Sequence, residues 1–205
     1  MSPPKPPPVK KVDPYRLEEI EQREMQAIFA FWKWAAEEAP WMKVAFDEPG
    51  VKEGKGRANN PRILEYLKSC GTTAVNYPKV DLNSDATAWC GAFVNWCMEK
   101  AGYIGTGTAW AKDWVRWPMG RRIAKPQKGC ITVFSRGDDL GHVAFCWDPK
   151  HNYYLGGNQG AGTITNSRSD RVSITRVKAK VIAHVWPLKP INPMLDFTIR
   201  RGIGV

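Results

Sequence analysis

From Tyr15 to Glu38 the chain carries no Gly or Pro, and Leu17, Ile20, Met25, Ile28, Phe29 and Trp32 recur near helical spacing. Asp13-Pro14 suits the N-cap and first helical position, and Pro40 stops the run. The pattern predicts a long helix with one apolar face. That face is expected to dock and bury Ile28, Phe29 and Trp32, because an exposed apolar stripe is an association hazard. A loosely tethered, partner-binding helix is the alternative. Trp41 to Asp47 and Arg62 to Lys68 read as shorter helices, the second opened by Asn60-Pro61, whereas Val51 to Gly56 and Thr72 to Ser84 read as loops. From Trp89 onward, Phe93, Val94, Trp96, Cys97 and Ala101 form a buried helical face that Gly102 ends. Ala109 to Trp114 predicts one more short helix.

After Pro126 to Gly129 the pattern turns to short β-branched or aromatic runs: Cys130 to Phe134, Val143 to Trp147, Tyr153 to Leu155, Val172 to Val177 and Val181 to Trp186. Helices first and strands afterwards predict an α+β fold, an antiparallel sheet packed on the helix that starts near Cys90. The organisation expected is a Pro/Lys-rich arm (1–12), a helical extension (13–39), a folded domain (40–190) and a basic tail (191–205).

Composition narrows the function classes. An apolar share of 43% over 205 residues, with ten Trp, supports one real core. No apolar run is long enough to span a bilayer, so no membrane insertion is expected. Met1 to Lys11 has no apolar segment of the secretory kind, which leads to the expectation of cytoplasmic synthesis without a signal peptide. A net charge of +10 favours polyanions, including the acidic polymers of a bacterial envelope. The aromatic and basic residues between Trp110 and Arg122 lack any nucleic-acid-binding module, so nucleic acid is not an expected partner. Five cysteines without a CxxC pair speak against a disulfide framework, and no zinc-ligand spacing is present.

The candidate chemistry centres on Asp85-Ala-Thr-Ala-Trp-Cys-Gly91, which puts Cys90 where a helix begins, with Asp85 and Thr87 as candidate caps. A helix N-terminus lowers a thiol's pKa toward the reactive thiolate. Cys97 lies deeper in the same helix and reads as core. Of the three histidines, His142 follows Gly141 and opens a strand able to face the cysteine helix; His151 sits in a turn and His184 reads as structural. Asn158, after Gly156-Gly157, is expected to accept the His142 ring N–H, with Gln159 as the alternative and a plain strand-ending turn as the structural explanation. Asp85, Trp89, Trp114 and Gln159 are candidate substrate-binding residues, although Trp114 fits a core equally well.

These residues together resemble the peptidoglycan hydrolases of the papain-like superfamily that holds CHAP (cysteine, histidine-dependent amidohydrolase/peptidase) and NlpC-type domains. Matching pieces run in order from Pro40-Trp41-Met42 and Asn60 to Tyr66, through Asp85 with Trp89-Cys90, Ala92 to Trp96 and Gly105 to Gly107. They continue through Val133 to Gly137, Gly141-His142-Val143, Gly156 to Gln159 and Trp186-Pro187. The resemblance implies a papain-like domain with Cys90 as nucleophile, His142 as base and Asn158 as orienter. It also implies hydrolysis of an amide in the peptide stem of peptidoglycan, with no cofactor and no metal. A monomer acting in the periplasm or cell wall is expected, delivered either by an antibacterial secretion machine or by phage lysis. An effector of that kind would require a cognate immunity protein. A catalytically inert, wall-binding or toxin-associated module of the same fold is the rival class. Ala88 and Gly91 depart from the Pro and Ser that the family pattern favours, and Cys130 stands where Asp is usual.

Overall fold

A computed structural model describes residues 14–55, 58–71, 81–137, 140–160 and 170–189. The arm at 1–12 and the tail at 191–205 lie outside the described residues. The chain forms two compact units, Met1–Glu38 and Ala39–Val205. The first holds helix α1, Pro14–Glu38. On this helix Ile28 and Phe29 are 49% and 72% exposed, and Trp32 is half-buried beside the Phe31 ring. The helix is rich in Glu, Gln and Arg around these positions, and apolar side chains in water are common on protein surfaces.

The second unit contains α2 (Pro40–Phe46), α3 (Pro61–Lys68), α4 (Cys90–Lys100) and a 3-10 helix at Ala111–Arg116. Among the described residues six strands follow: β1 (Gly120–Ile123), β2 (Ile131–Ser135), β3 (Gly141–Asp148), β4 (Tyr153–Gln159), β5 (Arg171–Arg176) and β6 (Lys180–Pro187). They form a single sheet in the order β1-β6-β2-β3-β4-β5, with every pair antiparallel.

Local chemistry explains the helices. Asn60 caps α3 by accepting from Arg62 N at 2.9 Å, and Pro61 occupies the first turn. Ile63, Tyr66 and Leu67 make its buried face. Helix α4 is buried on all sides from Cys90 to Met98, as expected of a helix at the centre of a core. It packs against β3, β4, α2 and α3. Tyr66 lies among Trp89, Phe93 and Trp96, with ring centroids 5.0–5.9 Å apart, and its hydroxyl donates to the Glu48 carboxylate. Along β3, Phe145 meets Phe93 of α4 at 6.4 Å, while Ala144 and Cys146 turn to a second cluster with Phe134 and Tyr154.

Two features escaped the pattern reading. Strand β1 pairs with β6 but is largely exposed and carries Arg121 and Arg122, so no apolar alternation marks it. Gly156 and Gly157 lie inside β4 rather than ending it. Their lack of side chains is what lets the strand pass. A Cβ on Gly157 would stand 2.4 Å from Trp89 Cζ3 and 2.7 Å from Phe93 Cβ, and one on Gly156 would stand 2.7 Å from Ala144 Cβ.

Gly157→Ala should therefore force β4 away from α4, a form of overpacking that costs about 1–3 kcal/mol. A melting temperature equal to that of the unaltered protein would contradict this close approach.

Candidate active site

Cys90 is the first residue of α4, with Trp89 as N-cap and no side chain capping the helix. Asp85 and Thr87 do not serve as caps. Asp85 Oδ2 instead accepts from the backbone N–H of Gly54 at 2.7 Å and of Asn60 at 2.8 Å, and Thr87 donates to Asp81 O. Asp85 thus ties the loop before α4 to the 54–60 segment; it is buried and unavailable to a substrate. Gly91 is required by contact, since a Cβ there would stand 2.3 Å from Ala109 O. A serine at this position, which the family pattern favours, would not fit the observed backbone.

The Cys90 thiol is 3% exposed, and burial raises its pKa above the ordinary value. The expected lowering is present but weaker. The Val143 N–H, the charge of Arg136 and the N–H groups of Gly91 and Cys90 all favour the thiolate without overcoming desolvation. In this closed arrangement the group is a neutral thiol.

His142 is fully buried, and burial together with the Arg136 charge holds its pKa down at about 3. Its Nε2 faces the Gln159 amide at 3.3 Å. The amide orientation that satisfies all neighbours makes Gln159 Oε1 the acceptor, both from His142 Nε2 at 3.3 Å and from Gly156 N at 3.2 Å. The amide nitrogen then donates to Ser173 O. This assignment puts the ring proton on Nε2 and leaves the lone pair on Nδ1, which has no hydrogen-bond partner. A neutral imidazole held in that tautomer can accept a proton at Nδ1.

The Asn158 amide is not hydrogen-bonded to His142. Its amide donates to Asp170 Oδ2 at 3.0 Å and Glu53 Oε1 at 3.5 Å. The reason lies in the strand: the β4–β5 register shifts between Gly156 and Gln159, and Asn158 sits at φ 56°, in the left-handed region. Regular alternation would give Asn158 the face of Gly156 and Ala144; the shift gives that face to Gln159. Of the two amides expected beside His142, the one at hydrogen-bond distance is that of Gln159, the alternative, and not that of Asn158.

Trp89 and Trp114 are fully buried, so neither lines a cleft. The Trp89 indole N–H donates to Glu53 Oε1 at 3.2 Å, and Trp114 stacks at a tilt on Trp117 in the core. Sequence reasoning missed Glu53, Asp170 and Arg136. Burial raises both carboxyls to about 6, aided in Glu53 by the charges of Asp170 and Asp85. Glu53 lay in a segment read as a loop, and Asp170 meets Asn158 only through the strand register. A cleft of about 840 Å³ lined by Lys112, Arg116, Trp117, Ser135 and Gly137 opens beside the 3-10 helix.

The remaining candidates are placed apart. His151 is exposed and pairs with Asp148 at 2.7 Å, and His184 Nδ1 meets Thr132 Oγ1 at 3.0 Å. Cys97 is buried within α4, its pKa raised by burial. Cys130 and Cys146 are cross-strand neighbours, with Cys146 N donating to Cys130 O at 2.8 Å; their mutual hydrogen bond favours the thiolate at Cys130 and the thiol at Cys146.

Cys90, the His142–Gln159 pair and Asn158 all fall in one stretch of chain. Residues 82–165 match the CHAP domain family. CHAP domains are amidase or peptidase hydrolases, and the match agrees with a CHAP-type peptidoglycan hydrolase family. The CHAP segment covers α4 and strands β1 to β4, whereas α1 to α3 and strands β5 and β6 lie outside it. No curated protein and no solved structure matches the chain.

The buried titrating groups set opposing pH slopes. His142 falls from 6.5 to about 3 on folding, so the unfolded chain holds the extra proton and this contribution to stability is lost as pH drops from about 6.5 toward 3. Glu53 and Asp170 rise to about 6 from 4.5 and 3.8, so the folded chain holds the extra protons and their contribution is lost as pH rises through about 6. Replacing His142 with Gln should therefore shift the melting-temperature difference in the variant's favour as pH falls from 6.5 to 4. A difference that stays constant over that range would contradict a buried neutral imidazole.

Proposed function

We propose that the protein hydrolyses an amide in the peptide stem of peptidoglycan by thiol acyl transfer, with Cys90 as nucleophile, His142 as base and Gln159 as orienter. The observation that carries this reading is the Gln159 contact, which leaves the Nδ1 lone pair of a buried neutral His142 for proton transfer, inside a CHAP-matching segment that begins its helix with Cys90. His142 Nδ1 takes the thiol proton, and the sulfur attacks the amide carbonyl carbon. Backbone N–H groups at the start of α4 stabilise the resulting oxyanion. Collapse breaks the C–N bond, and the amine leaves with the proton from His142. Water then gives His142 its proton and attacks the thioester, releasing the carboxylate product and restoring the thiol. Asn158 belongs to the Trp89–Glu53–Asp170 support behind this pair. The biological settings that fit are an antibacterial effector, neutralised by its own immunity protein, and a phage lysin.

The buried thiol also favours a second reading, an inert module that retains the fold. Alkylation separates the two. Under the hydrolase reading, peptidoglycan fragments should protect Cys90 from iodoacetamide, and Cys90 should label faster than Cys97 near neutral pH.

Cys90→Ala should abolish release of stem-peptide products from purified sacculi, as read by mass spectrometry, and His142→Ala should do the same. Gln159→Ala should lower turnover by about 10²- to 10⁴-fold by freeing the ring tautomer, with Asn158→Ala costing less. Full activity of Cys90→Ala would end the acyl-transfer reading, and a larger loss from Asn158→Ala than from Gln159→Ala would return the orienting role to Asn158.

A further inference from the structure

Arg136 has no part in the chemistry described so far, yet it is the charged neighbour of both Cys90 and His142. It directly follows β2. Its N–H donates to Leu140 O at 2.9 Å, which carries the β2–β3 pairing one step beyond Ser135 and Gly141. Alternation from Phe134, whose cross-strand partner is His142, puts Arg136 on the same face as that histidine. The guanidinium atoms Nε and Nη2 are both sealed from solvent and have no hydrogen-bond partner. These two N–H groups form one edge of the guanidinium plane, the fork that a carboxylate fills with two parallel hydrogen bonds.

Among the described residues no acid fills that fork. Asp170 is near enough to interact with Arg136 through its charge, but the two form no ion pair. One Asp170 oxygen accepts from Asn158, and the other has no partner. Buried guanidinium N–H groups with no ion pair among the described residues are costly, and burial lowers the pKa of Arg136 accordingly. The arrangement suits an anion that arrives from outside, against the strand that carries the reacting imidazole.

We infer that the Nε/Nη2 fork of Arg136 receives a carboxylate of the substrate beside the scissile amide, so that the site takes acidic peptides in which a free carboxylate lies next to the bond attacked. The inference rests on the hydrolase reading for the identity of the bond. It also gives the fork a second effect. The charge of Arg136 opposes protonation of His142, and a bound carboxylate offsets that charge, so the base accepts the thiol proton more readily once an acidic substrate is seated.

The test uses the full chain carrying Cys90→Ala and two synthetic stem peptides, one with its carboxylates free and one with them amidated, titrated by calorimetry. The free-carboxylate peptide should bind more tightly. Adding Arg136→Gln should weaken it about tenfold to a hundredfold and leave the amidated peptide unchanged. Arg136→Lys, which keeps the charge but not the fork, should recover only part of the loss. In the protein with Cys90 intact, Arg136→Gln should raise KM for the free-carboxylate peptide far more than for the amidated one. Equal binding of the two peptides to Cys90→Ala, no binding of either, or an Arg136→Gln loss that is the same for both would overturn the inference. Wild-type cleavage is read separately. Turnover without a carboxylate preference removes the anchor and keeps the hydrolase. A carboxylate preference in binding without any turnover removes the hydrolase and keeps the anchor.

Discussion

Between Gly156 and Gln159 strand β4 carries one residue more than its partner β5, and this extra residue decides which amide reaches His142. The left-handed backbone of Asn158 absorbs the insertion. It sends the Asn158 side chain to Asp170 and Glu53 and delivers the Gln159 amide to the imidazole. The same stretch can bend there because Gly156 and Gly157 leave room for Ala144 on one side and for Trp89 and Phe93 on the other. Packing and site geometry are thus one constraint. A side chain added to relieve the bulge would displace α4, and with it the thiol.

The electrostatics follow from that closeness. The thiol is stripped of water at the start of α4 and the imidazole beside Phe134 and Gln159, and each is held neutral. The helix start, three backbone N–H groups and Arg136 all favour a thiolate, yet desolvation outweighs them in the closed structure. Reactivity of Cys90 under the proposed function therefore depends on what substrate binding adds to the site, rather than on a standing ion pair. Under that proposal the arginine fork near both groups carries more mechanistic weight than the helix dipole that singles out Cys90 in the sequence.

Much of this was legible in the chain. The helix start at Cys90, the strand opened by His142, the cap at Asn60 and the α+β order of elements all follow from local periodicity and turn chemistry, which sequence displays directly. What stayed hidden depends on register. A one-residue slip exchanges the two faces of a strand, so neighbouring amides at Asn158 and Gln159 cannot be told apart without knowing where the bulge falls. Asp85 and Trp89 were misread for a related reason. Polar and aromatic residues beside a reactive cysteine suggest a cleft, but here they hold the approach to α4 from beneath, through Gly54, Asn60 and Glu53. Edge strand β1 was invisible because its exposed arginines carry no apolar pattern.

The support behind the site also explains why two buried carboxyls are tolerated so close together. Glu53 and Asp170 are joined by the single Asn158 amide, and Glu53 is held further by the Trp89 indole, the residue that caps α4. Each raised carboxyl can share protons with this network near pH 6 instead of standing as an isolated charge. The network runs from Trp89, just before Cys90, to Asn158 at the irregularity of β4, so the two elements that present Cys90 and Gln159 are tied by the same few hydrogen bonds. A loss of the Asn158 amide would leave two buried carboxyls without their common donor, and would loosen the register that aims Gln159 before it touched the chemistry itself.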